Sequence, residues 1–377
     1  MKRYSTSIIF TIIVLASTAC FYIFFSARSE TVPSLSIKTV SGNQDEMKDV
    51  KIYGEGFINN VSSTVTVTEK KATVKPVSAL NLWFGQPNLD ESTLKIAQLQ
   101  EQYRSFMRGK QNIDELYEDK TLLLFAESNN AKKQLEIEYY DKLNNTSHEF
   151  TLSLPKEYSK YKDVFVHDIQ LIDQQMVVVL GGHVPKRNDI FLLYVNLKQE
   201  KINHSKTVYS LEHSKTEDQS IYINNFEQNL ELATYYTFQV AKSVSNEPTI
   251  YTMYAIDLHE GQLKQIHLPD KTAYDWDYYK NDNKIYYLST ESGELYQIDL
   301  EKNSTSLLLQ NDKWKNSNGL TMTASDNKLY IMSGLFTPVA KIDVVGVNNK
   351  KMLYEGKIKL EKSVVGNNFS FRTIMVN

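Results

Sequence analysis

Apolar strands follow short polar turns at regular intervals along most of the chain. A turn of acidic and amide residues, followed by an aliphatic or aromatic strand, recurs every 44 to 55 residues. The turns begin at Glu118, Asp173, Glu227, Asp282 and Asp326. Runs rich in Val, Ile, Leu and Tyr that are bounded by Asn, Asp and Ser are typical of β-strands joined by tight turns. The pattern therefore predicts a repeated β unit.

Further strands complete each unit. One strand precedes the turn, as at residues 164–171, and another ends on an acidic or amide residue, as at Leu192–Asn196. A short strand such as Ser306–Leu309 then follows in most units. Each unit is thus predicted to be a sheet of four short antiparallel strands. The double glycine Gly181-Gly182, directly after an apolar run, is predicted to mark a turn.

Four strands in each 40 to 55 residues resemble a blade of the β-propeller superfamily in general. The repeated Gly-His and Trp-Asp pairs of WD-repeat proteins and the Trp-rich docking motif of quinoprotein blades are absent. The resemblance covers about Ile113 to Asn377 and implies architecture only. The predicted fold class is all-β, a propeller of six four-stranded blades, and residues 32–109 leave room for a seventh. The alternative is a β-sandwich built from unrelated hairpins.

The two ends of the body are predicted to share one blade. Phe369–Val376 reads as the first strand of another unit, and the chain ends there. The remaining strands of that blade are expected from Lys51–Val77, where Ser63–Thr68 alternates between polar and apolar residues. Such pairing removes two exposed strand edges, which otherwise invite aggregation.

One segment has helical rather than β periodicity. Asn88 with Glu91 three residues later has the spacing of a capping box. An apolar stripe then recurs on one helical face, at Ile96, Leu99, Tyr103 and Phe106. We predict a helical insertion over about residues 88–108, either packed on the sheets or acting as a docking helix or lid.

The N-terminal segment predicts a membrane anchor. Lys2 and Arg3 precede Ser7–Phe25, which contains no charged residue. The run is just long enough to cross a bilayer, and positive charge before it places the following body outside the cytoplasm. The predicted organisation is a cytoplasmic stub and transmembrane anchor at 1–30 and an extracytoplasmic body at 31–377. Lipidation at Cys20, as in a bacterial lipoprotein, and cleavage near Ala27 are the alternatives.

Charge and cysteine content exclude several classes of function. The net charge is -3, from 42 basic and 45 acidic residues that are well mixed, so a nucleic-acid partner is not expected. The single cysteine, Cys20, lies in the anchor, so the body has no disulfide, no Cys-ligated zinc and no thiol nucleophile. No cofactor is predicted.

No motif for a catalytic nucleophile, a phosphate loop or a metal site is present, and the 7 histidines are scattered. Catalytic and metal-binding residues are therefore not assigned. In propellers the first strand of each blade lines the central channel, and the loop leading into it opens on a ligand-binding face. The candidate ligand-binding residues at such positions are His167, Asp168, Tyr274, Asp275, Trp276 and Asp277. The simpler interpretation is that these residues pack within blades and the acids are solvated.

These features predict a membrane-tethered extracytoplasmic binding or scaffold protein of the bacterial envelope. Its partner would be an unidentified protein or envelope polymer. The main alternative is a hydrolase or lyase acting on an envelope carbohydrate through acids at the channel mouth. A structural subunit of a membrane complex is a third. Convergence of His167, Asp168, Asp275 and Asp277 would favour the enzyme.

Overall fold

The computed structural model describes residues 10–20, 37–77, 91–359 and 370–376, apart from short gaps. The gaps are at 59–60, 186, 213–217, 223–232, 244–248, 269–277, 282, 318 and 338. By internal contacts the chain divides into two compact units, residues 91–316 and residues 1–90 with 317–377.

Helices are few. They are α1 (residues 10–20) and α2 (Glu91–Gln102), with short 3₁₀ turns at Gln44–Met47, Ile113–Glu115, Lys156–Lys160 and Asp312–Trp314. Within the described residues, none of the helices has both the length and the apolarity needed to cross a membrane. The predicted span Ser7–Phe25 extends past both ends of α1 into residues outside the described ones.

The first four strands are β1 (Ile37–Gly42), β2 (Val50–Ile58), β3 (Val61–Val67) and β4 (Ala72–Pro76). Two four-stranded antiparallel sheets then follow in chain order. Sheet A comprises β5 (Leu116–Glu118), β6 (Leu122–Asn129), β7 (Gln134–Asp141) and β8 (Thr146–Ser153). Sheet B comprises β9 (Asp163–Ile172), β10 (Gln175–Val184), β11 (Arg187–Asn196) and β12 (Lys201–Glu212).

Two further four-stranded sheets complete the central unit. Sheet C comprises β13 (Asp218–Tyr222), β14 (Tyr235–Ser243), β15 (Ile250–Asp257) and β16 (Gln262–Ile266). Sheet D comprises β17 (Tyr278–Asn281), β18 (Lys284–Ser289), β19 (Glu294–Asp299) and β20 (Ser304–Gln310). The strand order confirms the predicted unit, although β14 begins at Tyr235, after the strand that the sequence pattern placed at Leu230–Thr234.

The other unit holds two sheets built from both ends of the chain. Sheet E contains β21 (Leu320–Ser325), β22 (Lys328–Ser333), β23 (Val339–Gly346), β24 (Lys351–Lys359) and, as a fifth strand, β1. Sheet F contains β25 (Ser370–Val376) followed by β2, β3 and β4. The described part of residues 32–109 therefore adds strands to sheets E and F and forms no further sheet.

The shared sheet at the two chain ends is confirmed. β25 runs antiparallel to β2, with Val376 opposite Val50 and Ile374 opposite Ile52. The core between sheets E and F contains Ile52, Phe371 and Ile374, together with residues of β22 and β23. A strand near residue 375 is thus part of the same core as a strand near residue 50.

Neighbouring sheets of the central unit bury each other's faces, which explains the apolar runs. In β10, Met176 and Val178 pack with sheet A, whereas Val177 and Val179 pack with sheet C. A strand buried on both faces is apolar at successive positions instead of alternating. Sheets C and D share a further core that includes Met253 and Tyr287.

A polar contact fixes the position of β9 against sheet A. The Asn130 side chain donates to the carbonyl oxygen of Val164 at 3.1 Å and accepts from its amide nitrogen at 2.7 Å. One amide side chain therefore meets both backbone groups of a residue on the strand that carries His167 and Asp168.

The helix α2 is packed on sheet A. Ile96, Leu99 and Phe106 of the predicted stripe are buried with Leu116 and Leu123. The Lys95 ammonium pairs with Glu118 of β5 at 3.0 Å, and Glu118 also pairs with Lys142 at 2.8 Å. Of the two interpretations of this helix, these contacts support the one in which it packs on the sheets. Asn88, its predicted cap, lies outside the described residues.

Replacing Ile374 with alanine tests whether β25 is an integral part of the fold. Ile374 is fully buried between sheets E and F, so Ile374→Ala should lower the free energy of unfolding by about 2–5 kcal/mol. Leu143→Ala, at a side chain that is 75% exposed, is the control and should change it by less than about 0.5 kcal/mol. Denaturant titration measures both. An unchanged midpoint for Ile374→Ala would mean that β25 frays without consequence for the core.

Candidate functional site

The predicted residues His167 and Asp168 lie at an irregularity in β9, the first strand of sheet B. Val179 of β10 is opposite Asp168, but the next residue, Leu180, is opposite Val166. His167 is therefore the extra residue of a β-bulge and has no cross-strand partner. A bulge redirects the side chains around it, and bulges are over-represented next to functional sites.

The double glycine of β10 makes room for two rings. A methyl group added at Gly181 would lie 2.0 Å from Nε2 of His167, and one at Gly182 would lie 2.7 Å from a ring carbon of Tyr161. The prediction of a turn here was wrong, because both glycines lie inside a strand. Glycine within a strand permits such close approach. Burial of the ring lowers the pKa of His167 to about 4, so its imidazole is neutral at pH 7.

Asp168 is held firmly in the interior. Its side chain is 4% exposed, and its carboxylate accepts from the Ile169 amide at 2.9 Å and from Nε2 of Gln170 at 3.1 Å. Gln170 in turn accepts from the Ala233 amide at 2.8 Å. The acid is thus connected through Gln170 to the chain that leads into β14. Burial raises the pKa of Asp168, an effect that the positive charge of Lys280 opposes.

The hydroxyl group of Tyr236 lies in the same region, and among the described residues it has no hydrogen-bond partner. Tyr236 is on β14, is 0% exposed, and its hydroxyl oxygen is buried without a partner. Burial raises its pKa well above the ordinary value, and the nearby Asp168, Asp114 and Tyr278 raise it further. The Tyr236 hydroxyl therefore stays protonated, next to two carboxylates whose negative potential Lys280 partly offsets at Asp168.

These side chains form what we term the Asp168 cluster, defined as Asp114, Asp168, Gln170, Tyr236 and Tyr278. Its members come from the 3₁₀ turn before β5, from β9, from β14 and from β17. Residues from four successive sheets of one unit thus contribute to a single buried polar region. The stacking of the sheets brings them together, since no two of them except Asp168 and Gln170 are close in sequence.

Four predicted residues cannot be assessed. Tyr274, Asp275, Trp276 and Asp277 lie outside the described residues, so the predicted convergence of Asp168 with Asp275 and Asp277 is not tested. Sequence reasoning missed Asp114, Gln170, Tyr236 and Tyr278. Gln170 carried a usable signal, because it is a polar residue two positions from Asp168 and therefore on the same side of the strand.

The side chains of the Asp168 cluster supply hydrogen-bonding groups. Among the residues that the structure describes, no set of three histidine, cysteine or acidic side chains is arranged to hold a metal ion. The two carboxylates and the tyrosine hydroxyl offer oxygen acceptors for a hydrogen-bond donor.

Comparisons with known proteins give only a fold-level likeness. No protein-family model matches the chain, and no curated protein matches it. An uncharacterized Listeria monocytogenes protein superposes with a TM-score of 0.36 at 12% identity, covering 65% of this chain and 66% of that one. Dipeptidyl peptidase 4 of Porphyromonas gingivalis gives 0.38 at 12% identity, covering 80% and 44%.

A propeller is among these structural neighbours. The β-propeller domain of the Trilobed protease from Pyrococcus furiosus gives a TM-score of 0.34 at 9% identity, covering 82% of each chain. This chain spans at most about two thirds of the Listeria protein and under half of the Porphyromonas peptidase. Scores this low carry no argument about activity.

Alanine at Gly181 tests the packing of His167. Gly181→Ala forces a methyl group into the imidazole, so it should cost about 1–3 kcal/mol of stability. His167→Ala removes the ring, so the double variant should lose much less than the sum of the two single variants. Denaturant titration of all four proteins measures the coupling.

Gly182→Ala is the matched control. Its methyl group meets Tyr161 instead of His167. The change His167→Ala should therefore leave the cost of Gly182→Ala unaltered. Equal rescue of both glycine variants, or of neither, would contradict this placement of the imidazole.

Proposed function

We propose that the chain is a membrane-tethered binding protein of the bacterial envelope, with its blade-like sheets outside the cytoplasm. The Asp168 cluster would receive a positively charged group, such as a protonated amine, from an envelope polymer or a protein. The observation that carries this proposal is the Tyr236 hydroxyl, which is fully buried beside two carboxylates and has no hydrogen-bond partner in the part of the chain that the structure describes.

The energetics of the cluster support a bound group. A buried polar group left without a hydrogen bond costs about 1–3 kcal/mol, and native proteins rarely leave one in that state. A protonated amine can donate to the Tyr236 oxygen, and it is attracted to Asp168 and Asp114. A neutral hydroxyl could make the first contact but would gain less from the negative potential.

Binding requires fewer precisely placed groups in a site than catalysis does. The Asp168 carboxylate is fixed by Ile169 and Gln170, and this suits a preorganised acceptor. Preorganised acceptors lose little entropy when a ligand arrives. The neutral imidazole of His167, the residue before Asp168, adds no positive charge to that of Lys280.

The enzyme alternative rests on one observation, the raised pKa of Asp168. A carboxyl group that keeps its proton to higher pH has the character of a general acid in glycoside hydrolysis. That chemistry also needs a second acidic residue near the scissile bond. Asp275 and Asp277, the predicted candidates, lie outside the described residues, and Asp114 is the second acid within the cluster. We rest the proposal on the binding role because it does not need two acids at a set distance from a scissile bond.

The tether is proposed from the sequence pattern of Lys2, Arg3 and the uncharged run Ser7–Phe25. Protease added to intact protoplasts should digest the body, because positive charge before the run retains the N-terminus inside. A cytoplasmic marker protein should survive in the same sample. Protection of the body would contradict the proposed topology, and release of the body into the medium by Cys20→Ser would identify lipidation as the anchor.

The ligand class is tested with a pair of small probes. Cadaverine and 1,5-pentanediol have the same chain length, but only the first is charged. Cadaverine should bind the full-length protein in nanodiscs more tightly, and Asp168→Asn should weaken it at least about tenfold, because a charge-assisted contact is lost. Tyr236→Phe, which removes only the hydroxyl group, should weaken it about five- to tenfold. Calorimetric titration measures each affinity.

The pH dependence gives a second readout. Because burial raises the pKa of Asp168, its carboxylate gains a proton at a higher pH than an exposed aspartate does. Cadaverine binding should therefore weaken as pH falls through that raised value, and the Asp168→Asn protein should not show this loss. Equal affinity for cadaverine and 1,5-pentanediol would contradict the proposal of a charged ligand. If the parent cleaves envelope polysaccharide and Asp168→Asn abolishes that cleavage, the enzyme alternative would replace the binding proposal.

A further inference from the structure

A second surface with binding character lies in the unit formed by sheets E and F. In the loop between β22 and β23, Phe336 has a backbone φ of +61° and a side chain that is 58% exposed. Large residues rarely adopt this left-handed conformation, and large aromatic side chains are usually buried. The chain therefore holds an unfavourable backbone conformation and exposes an apolar ring at the same residue.

Hydrogen bonds fix this loop in place. The Phe336 amide donates to the carbonyl oxygen of Phe371 at 3.0 Å, and the Phe371 amide donates to that of Thr337 at 3.1 Å. The hydroxyl group of Thr337 lies 2.7 Å from the carbonyl oxygens of both Gly334 and Val339. The aromatic ring is therefore presented by a rigid loop. Strain that the surroundings enforce in this way is characteristic of functional sites.

An arginine from the shared sheet backs the ring. Tyr53 is opposite Thr373 and Gly54 is opposite Phe371, so Arg372 is the extra residue of a bulge in β25. Its guanidinium lies over the Phe336 ring at 4.8 Å from the centroid and pairs with Glu55 of β2 at 2.8 Å. Phe57, two residues beyond Glu55 on the same side of β2, is 44% exposed.

We propose that Phe336, Arg372 and Glu55 form a platform that binds an uncharged sugar unit of a polysaccharide. The open face of the Phe336 ring would stack on the apolar face of one pyranose, and hydroxyl groups of the adjoining sugar, where the polymer passes the edge of the ring, would contact Arg372 and Glu55. This surface is separate from the Asp168 cluster and does not depend on the ligand proposed there.

The charges of the platform select this ligand class. Arg372 supplies donors and Glu55 supplies acceptors, and together they carry no net charge. An anionic ligand bound at Arg372 would also lie near the negative charge of Glu55. A cationic ligand bound at Glu55 would likewise lie near the positive charge of Arg372. Neighbouring sugar hydroxyls both donate and accept, so they match the pair without a charge penalty. One ring on a surface loop suits a single unit of a longer polymer better than an enclosed small molecule.

The experiment uses the full-length protein in nanodiscs with chitohexaose, cellohexaose and laminarihexaose as probes. At least one of them should bind, and Phe336→Gly should weaken that binding about tenfold or more, as expected for loss of an aromatic anchor. Glycine tolerates the left-handed backbone, so this variant should fold at least as well as the parent. Arg372→Lys, which retains charge but loses the planar group, should also weaken binding.

The matched control is Phe165→Ala, at an exposed phenylalanine of similar exposure on β9. It should leave oligosaccharide affinity unchanged. Failure of all three probes to bind, or full affinity in Phe336→Gly, would overturn the platform. Loss in Asp168→Asn with retention in Phe336→Gly would place the sugar in the Asp168 cluster and also overturn it. A third result would also overturn the platform: the parent self-associates, Phe336→Gly abolishes the self-association, and no probe binds. The surface would then be a contact between copies of the chain.

Discussion

A four-stranded sheet with two apolar faces is stable only when a neighbour covers each face, and this constraint governs the structure. In β10, Met176 and Val178 pack against sheet A, whereas Val177 packs against sheet C. The same need extends to the chain ends. Without β25, the edge of β2 and the core residues around Ile374 would be exposed to water, and an open apolar edge favours aggregation. The pairing of β25 with β2 is therefore a structural requirement and not a detail of the terminus.

The stacking that buries the apolar faces also sets the chemistry. Polar residues on the first or second strands of successive sheets and on the turn before β5 converge, although most of them are far apart in sequence. One bulge in each unit displaces a side chain that the proposals use, at His167 in β9 and at Arg372 in β25. Each falls on the first strand of its sheet and redirects a polar or aromatic contact. Gly181 then accommodates the His167 ring, so the bulge and the glycine act as one packing device.

The sequence predicted the parts of the fold that local chemistry decides. Asp326 and Asn327 both have positive φ, as tight hairpin turns require, and the apolar strands that follow such turns were located correctly in most units. It did not predict that β1 adds a fifth strand to sheet E, or that Tyr236 reaches Asp168. Those outcomes depend on which sheets become neighbours. Gly181-Gly182 was misread because a glycine pair marks a turn and a close approach equally well.

The cost of retaining Asp168 argues for a role beyond packing. A carboxyl group whose pKa is raised by folding stabilises the native state only while it is protonated, so its contribution declines as pH rises from the unfolded value through the raised one. At neutral pH an ionised Asp168 therefore reduces stability compared with an uncharged residue of the same shape. Gln170 would hold an asparagine oxygen equally well. Lys280 is the positive charge that the described residues bring near Asp168, and the amine proposed to bind beside Tyr236 would add a second.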